Sequence, residues 1–239
     1  MTDHFFRADP YQVEAEGVVI AHTGEGAIVL DRSVFYPNGG GQPGDSGQLV
    51  WGAHKLPIAT AVKVQGGGVG LLPAIAAEMP AIGTKVRQHL DWGRRYRHMR
   101  VHTALHLLSV VIPLPVTGGQ VGTEKGRLDF AMPEPLANMQ AIEDALNRLI
   151  DRDLPVTESW ITEAELLANP GLVKTMSVTP PTGQGSIRLV RIGEGAAQVD
   201  LQPCGGTHVA RTGEIGRIAL GKLENKGRQN RRVSLHLAE

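Results

Sequence analysis

Apolar side chains recur in steps of four, three and four at Val101, Leu105, Leu108 and Ile112, the period of a helix with one buried stripe. Pro113 and Pro115 end that helix. Leu136, Met139, Ile142, Leu146 and Leu149 repeat the pattern and predict a second helix, whose start is limited by Pro133 and Pro135. Thr162 and Glu165 have capping-box spacing for a short third helix in TEAELLAN. Before residue 90 the pattern is different. Short runs such as VEAEGVVI (13 to 20), GAIVLDRS (26 to 33) and HKLPIATAVKVQ (54 to 65) read as strands between Gly-rich turns. GGGVG (66 to 70) reads as a turn or loop. After the loop TPPTGQG, the segments SIRLVRIG, AAQVDLQP, EIGRIALGKLE and RRVSLHLAE read as strands, the last two joined by the basic turn NKGRQN. The pattern predicts an α+β protein: a small antiparallel β-barrel over residues 1–90, followed over residues 91–239 by a two-layer domain of helices packed on an antiparallel sheet.

A chain of 239 residues, 41% apolar and 20% charged, is ordinary for a globular protein, and its length suits two small domains. No apolar run approaches the roughly 20 residues needed to cross a bilayer. The opening MTDHFFRADP lacks the basic-then-apolar order of a signal peptide, so a cytoplasmic location is expected. Cys204 is the single cysteine; it has no partner for an intramolecular disulfide, which fits a reducing compartment and leaves a thiolate for a metal or for catalysis. Lys and Arg balance Asp and Glu at 24 each, which argues against a protein that coats nucleic acid. The distribution is uneven, however. Lys85, Arg87, Arg94, Arg95, Arg97 and Arg100 face only Asp91 within residues 85 to 100, and seven basic residues, among them Lys226, Arg228 and Arg231, face Glu214 and Glu224 within 211 to 232. Brought together, the two stretches would hold a phosphate backbone; separately, each reads equally well as a solvated charged face.

The first helix carries HTALH. His102 and His106 stand one turn apart, about 100° round from Val101 and Leu105, so both imidazoles leave the same face and are able to bind one ion. Alone, such a pair is better explained by two solvent-facing or core histidines. The second stretch is PCGGTHVARTGEIG (203 to 216), where the lone cysteine precedes His208 by four residues across two glycines. Without a Cβ, those glycines let the backbone fold back so that Cys204 and His208 point at one centre. Three imidazoles and a thiolate suit Zn²⁺ better than Mg²⁺ or Ca²⁺, which prefer oxygen. Four protein ligands would close a tetrahedral site, whereas a loosely held His208 would leave a position open. Thr103 stands where an H-E-x-x-H peptidase carries its general base, which disfavours a zincin. GGGQPGD is neither a P-loop nor G-x-G-x-x-G, and by itself reads as a hairpin turn.

HTALH and CGGTH resemble the editing domain shared by alanyl-tRNA synthetases and the free-standing AlaX proteins, with a related arrangement in threonyl-tRNA synthetase. FYPNGGGQPGDSG (35 to 47) is similar to the glycine-rich segment that precedes the editing core in that family, and DWGRRYRHMRVHTALHLL and SIRLVRIG through NKGRQNRRVSLHL match in order. The resemblance spans nearly the whole chain and leaves no room for an aminoacylation domain, so it implies an ATP-independent, stand-alone trans-editing protein. It implies Zn²⁺ on His102, His106, Cys204 and His208. It also implies a substrate pocket beside Gly39, Gly40, Gly41 and Gln42 and lined by polar residues such as Gln120 and Thr123, with tRNA held by Arg94, Arg95, Arg97, Lys226, Arg228 and Arg231. The expected reaction is hydrolysis of serine or glycine from tRNA for alanine, by a zinc-bound or backbone-held water. Two alternatives remain open at this stage: a non-catalytic, zinc-stabilised RNA-binding module, and a zinc hydrolase of a small ester or amide that works without tRNA. The sequence leaves the oligomeric state open, a monomer included.

Overall fold

The computed structural model describes residues 2–174 and 185–238. Most of the TPPTGQG loop, residues 179–184, lies outside the described residues. The chain forms two compact units, Met1–Tyr96 and Arg97–Glu239.

The first unit contains a closed antiparallel barrel of six strands, β1 (Glu14–His22), β2 (Ile28–Leu30), β3 (Gly47–Trp51), β4 (His54–Val64), β5 (Gly68–Pro73) and β6 (Lys85–Leu90), in the order β1-β2-β5-β4-β3-β6. Its core is built from alternating apolar positions, among them Val19, Ile28, Leu30, Leu49, Leu56, Ile58, Leu71 and Val86. In β4 the buried set changes phase from Leu56 and Ile58 to Ala61, because a bulge between Ile58 and Thr60 inserts one residue against β5. The expected loop over GGGVG is shorter than predicted: only residues up to Gly67 turn, and Gly68 starts β5. FYPNGGGQPGD is a hairpin-like turn, in which Gly39 and Gln42 exchange backbone hydrogen bonds at 3.0 Å. Gly40 and Gly41 between them have φ of 58° and 81°, as a type I′ turn requires.

The Asp45 carboxylate of that segment is 1% exposed. It accepts hydrogen bonds from the Tyr36 N–H at 2.6 Å and from Arg95 Nε at 2.9 and 3.0 Å. Arg95 also donates to the carbonyls of Val34 and Pro10 at 2.7 and 2.9 Å and is fully buried. The expectation that Arg95 grips RNA is therefore corrected. Its guanidinium is spent inside the first unit, where an unpaired charge would be costly.

Helix α1 (Trp92–Val111) runs through the boundary between the units. The second unit continues with β7 (Val116–Val121), β8 (Lys125–Ala131), α2 (Met139–Asp151), β9 (Val156–Thr162), α3 (Glu163–Ala168), β10 (Ser186–Ile192), β11 (Asp200–Pro203), β12 (Ile218–Leu220) and β13 (Asn230–Leu237). One antiparallel sheet has the order β12-β13-β8-β7, with Glu224–Asn225 also on β13, and a second has the order β9-β10-β11. Helix α2 starts at Met139 because Asn138 caps it, accepting from the Ala141 N–H at 3.0 Å, so Leu136 precedes the helix. Buried Asn147 binds both the N–H and the C=O of Ile218 at 2.9 and 2.8 Å, which docks α2 on the edge strand β12. The capping box of α3 forms between Thr162 and Glu165 as the spacing predicts. AAQVDLQP is a strand only over Asp200–Pro203, and EIGRIALGKLE only at Ile218–Leu220 and Glu224–Asn225.

The expected single buried stripe of α1 is also corrected, since every residue from Val101 to Ser109 is buried. The helix meets both sheets. On one side Val101 and Leu105 lie so close to Gly126 of β8 that a Cβ there would meet them at 2.6 and 3.0 Å. On another, His106 reaches Asp200 and Gln202 of β11. The polar face of α1 thus becomes interior, and the expectation of helices laid on one sheet does not describe it. Among the described residues no helix is long and apolar enough to cross a membrane.

Candidate metal centre

The two sequence-distant pairs converge within the second unit. One donor atom from each of His102, His106, Cys204 and His208 lies within 4.8 Å of all the others. Cys204 Sγ is 3.5 Å from His102 Nε2 and 3.3 Å from His208 Nε2, and the three imidazole rings lie 4.3 to 5.3 Å apart. The three histidines are buried and Cys204 is partly so.

Each orienting partner comes from the fold. The hydroxyl of Thr103, fully buried on α1 between the two histidines, donates to Met99 O at 2.9 Å. Its lone pairs then face His208 Nδ1 at 3.2 Å and the Val209 N–H at 3.3 Å. His208 therefore carries its proton on Nδ1 and turns a bare Nε2 toward Cys204. His106 Nδ1 binds Asp200 Oδ2 at 2.9 Å. That carboxylate also takes Lys174 on Oδ1 and the Gln202 amide at 2.8 Å on Oδ2. The position that in a peptidase would bear a base thus holds a residue that sets a tautomer, and Asp200 does the same for His106.

The turn bearing Cys204 is held differently from the sequence-based reading. Neither Gly205 nor Gly206 has positive φ, and a Cβ on Gly205 would meet nothing within 4 Å. Arg188 of β10 fixes the turn instead, donating to the carbonyls of Cys204 and Gly206 at 2.9 Å each while it pairs with Glu158 of β9. The Gly206 N–H points at Sγ at 3.4 Å. Thr103, Lys174, Arg188, Asp200 and Gln202 have no motif of their own. Even Arg188 stands in the polar phase of SIRLVRIG, between Ile187 and Leu189, as an ordinary solvent-facing strand residue would.

The electrostatics divide the cluster: Cys204 is held toward the thiolate and His208 toward the neutral ring, whereas His106 keeps its proton against Asp200. Burial alone would raise the Cys204 thiol, yet the neighbouring His102 and His208 hold it well below its ordinary value. Burial, with the charge of His102, pushes His208 down to about 3. His106 is pushed up to about 9, its burial outweighed by Asp200 and Cys204, and Asp200 is held near about 2, its burial outweighed by His106 and Lys174.

The remaining candidates are scattered. Gln120 on β7 pairs in register with Arg127, whose Nε donates to it at 3.1 Å. Both project on the face of the sheet opposite Gly126 neighbours Leu128 and Phe130, away from α1, and Gln120 is exposed. Thr123 is half-buried in the β7–β8 turn. In the first unit Gly40 and Gly41 are exposed, Gly39 is half-buried and Gln42 is 2% exposed, its side chain facing inward. Arg94 is half-buried, and its N–H caps onto Asp91 at 3.1 Å. Arg97 makes a loose 3.7 Å contact with Glu124, Lys226 pairs with Glu224 at 3.0 Å, Arg231 donates to Pro133 O at 2.8 Å, and Arg228 is exposed. The basic stretches touch where Arg100 Nε donates to Ile215 O at 2.9 Å.

Comparison with known proteins gives two family matches. Residues 187–234 match the threonyl and alanyl tRNA synthetase second additional domain, and residues 11–94, the barrel region, match tRNA synthetases class II (A). The alanyl-tRNA editing protein AlaX-M of Methanosarcina acetivorans is 35% identical over 249 residues, covering 100% of both chains. AlaX-M of Saccharolobus solfataricus is 34% identical over 98% of each. The alanine–tRNA ligase of Pyrobaculum calidifontis is 34% identical over 93% of this chain but only 25% of its own length. With full-length identity of this order, the chain belongs to the AlaX family of alanyl-tRNA editing proteins.

Proposed function

We propose that the protein is a trans-editing hydrolase that removes serine or glycine from mischarged tRNA for alanine, with Zn²⁺ held by His102, His106, Cys204 and His208. The observation that carries this reading is the shape of the donor cluster. Zn–N of about 2.0–2.1 Å and Zn–S of about 2.3 Å in a tetrahedron put sulfur and nitrogen about 3.5 Å apart, and the observed separations are 3.5 and 3.3 Å. When bound, Zn²⁺ supplies Lewis acidity toward an ester oxygen or a water at neutral pH. The protein's own groups hold the ligands in place. Thr103 and Asp200 fix the tautomers, and Arg188 holds the Cys204 turn whose outer residue, Gly205, is exposed.

An aminoacyl ester is already activated, so positioning and selection are the larger tasks. A pocket that hydrogen-bonds a serine hydroxyl rejects alanine, because the unpaired groups would cost about 1–3 kcal/mol each. Thr123 remains a candidate for such a contact; Gln120, committed to Arg127 on the far face, is not retained. Gly39, Gly40, Gly41 and Gln42 are kept as substrate-binding residues of this reading, with the Gly40–Gly41 backbone exposed. Arg97, Lys226, Arg228 and Arg231 are the phosphate ligands of this reading, with Arg94 beside them, since exposed pairs such as Arg97–Glu124 are weak enough to exchange for phosphate.

Four converging protein donors also suit a closed structural site, which favours the RNA-binding module as a second reading. The deciding experiment is deacylation of Ser-tRNA and Ala-tRNA of the alanine acceptor by the purified protein. Loss of serine alone is expected; equal loss of both, or of neither, ends the proposal. A His102→Ala variant that folds and binds tRNA without deacylating supports the enzyme over the module.

A further inference from the structure

We infer that Trp160 is a stacking platform for the terminal adenine of the tRNA acceptor end. The inference rests on the deacylase reading above. Strand β9 is an edge of its three-stranded sheet. Trp160 pairs in register with Arg188 of β10, and the Cys204 N–H in turn bonds Arg188 O at 3.2 Å. Directly paired residues share a face, so Trp160, Arg188 and Cys204 emerge on the same side of the sheet, with about 10 Å, two strand spacings, between the outer backbones. Arg188 joins the two ends: it fixes the Cys204 turn through two carbonyls, and its ion pair with Glu158 neutralises the charge beside the indole.

The side chain is conspicuous for its exposure. Among Phe, Tyr and Trp, residues 97–239 contain only Phe130 and Trp160; Phe130 is fully buried, and Trp160 is 50% exposed. The other two tryptophans are stacked, Trp51 on His54 and Trp92 on Tyr96, each with centroids 5.2 Å apart. The nearest neighbours of Trp160 on its face of the sheet are polar, Glu158 and Thr162 along β9 and Arg188 directly across on β10, while the diagonal Val190 is buried. An isolated flat ring in polar surroundings lacks the apolar rim of a protein hot spot, but it suits a nucleobase, which needs only a π-face. An ester carbonyl placed at the metal centre is attached to the terminal ribose, and the adenine lies one nucleoside away, within reach of this indole.

The test uses the zinc-loaded protein and two acceptor-stem RNA minihelices, one ending in adenosine and one whose last nucleotide lacks its base, with binding read by fluorescence anisotropy. Removing the base is expected to weaken wild-type binding about 5- to 100-fold. Trp160→Ala should bind both RNAs equally weakly, and Trp160→Phe should keep most of the preference. On mischarged tRNA, Trp160→Ala should raise KM by the same factor with kcat unchanged. A wild-type protein indifferent to the base, or a Trp160→Ala variant that still prefers it, overturns the inference. A protein that shows the base preference but deacylates nothing supports the platform while refuting the deacylase reading, so the two failures are distinct.

Discussion

Thr103→Val removes one oxygen from the fully buried interior of α1 without changing the shape of the side chain. In the native protein that oxygen serves His208 Nδ1 at 3.2 Å and the Val209 N–H at 3.3 Å. Met99 O, its own acceptor, is also an acceptor in the helix ladder and is not stranded. The variant therefore leaves two buried donors without a partner, at about 1–3 kcal/mol each, or about 2–6 kcal/mol in total, a large part of a typical 5–15 kcal/mol. The two shares are separable. The Val209 share weakens the protein with or without metal. The His208 share releases the imidazole to either tautomer and orientation, and should appear as a loss of metal affinity of about 10- to 100-fold, equivalent to about 1.4–2.7 kcal/mol. Urea unfolding of metal-loaded and metal-free protein measures the first, and competition with a chromogenic chelator the second. Thr103→Ser, which restores the hydroxyl, should recover most of both. If Thr103→Val keeps wild-type stability and holds zinc as tightly as the wild type, Thr103 does not set the His208 tautomer.

Arg95→Met should destabilise the first unit by about 3–5 kcal/mol, because it strands the buried Asp45 charge, while leaving the salt dependence of tRNA binding unaltered; a change in that dependence would return Arg95 to the RNA surface. Gly205→Ala should retain metal and stay within about 0.5 kcal/mol of wild-type stability, since Arg188 rather than glycine freedom holds the turn; loss of zinc in this variant would refute that account. Asp129, hydrogen-bonded to Arg232 at 2.7 Å and further paired with Arg127, has its carboxyl held below the ordinary value despite the opposing effect of partial burial. A depressed folded-state value contributes stability that is present above the unfolded carboxyl's titration, near pH 4, and lost as pH falls through the folded one. The stability gap between wild type and Asp129→Asn in urea unfolding should therefore close as pH is lowered from 6 toward 3, and a gap constant over that range would show that the ion pair is not its source.

The helices, the barrel and the four metal-ligand candidates were legible in the chain because each depends on short-range features. A helical period at Val101, Leu105, Leu108 and Ile112, a capping box at Thr162 and Glu165, and ligand spacings of four residues are all written within one or two turns. What the tertiary structure alone decided is non-local. Strand β9 went unrecognised because VTESWIT lacks strand alternation, with Thr157, Glu158 and Ser159 polar in a row and Trp160 and Ile161 adjacent, and it gains its place only by pairing with β10, 30 residues away at Glu158 and Arg188; Trp160 was overlooked with it. Arg95 reads as one more surface cation until Asp45, 50 residues earlier in the chain, closes over it. Gln120 is a plausible pocket residue until sheet register turns it to the far face. The ordering of the candidate metal ligands likewise comes from Thr103, Asp200, Lys174 and Arg188, ordinary polar residues that acquire roles when the polar face of one helix is buried against a second sheet. Burial leaves each of their donors and acceptors needing a partner, and only the fold determines which partner is in reach.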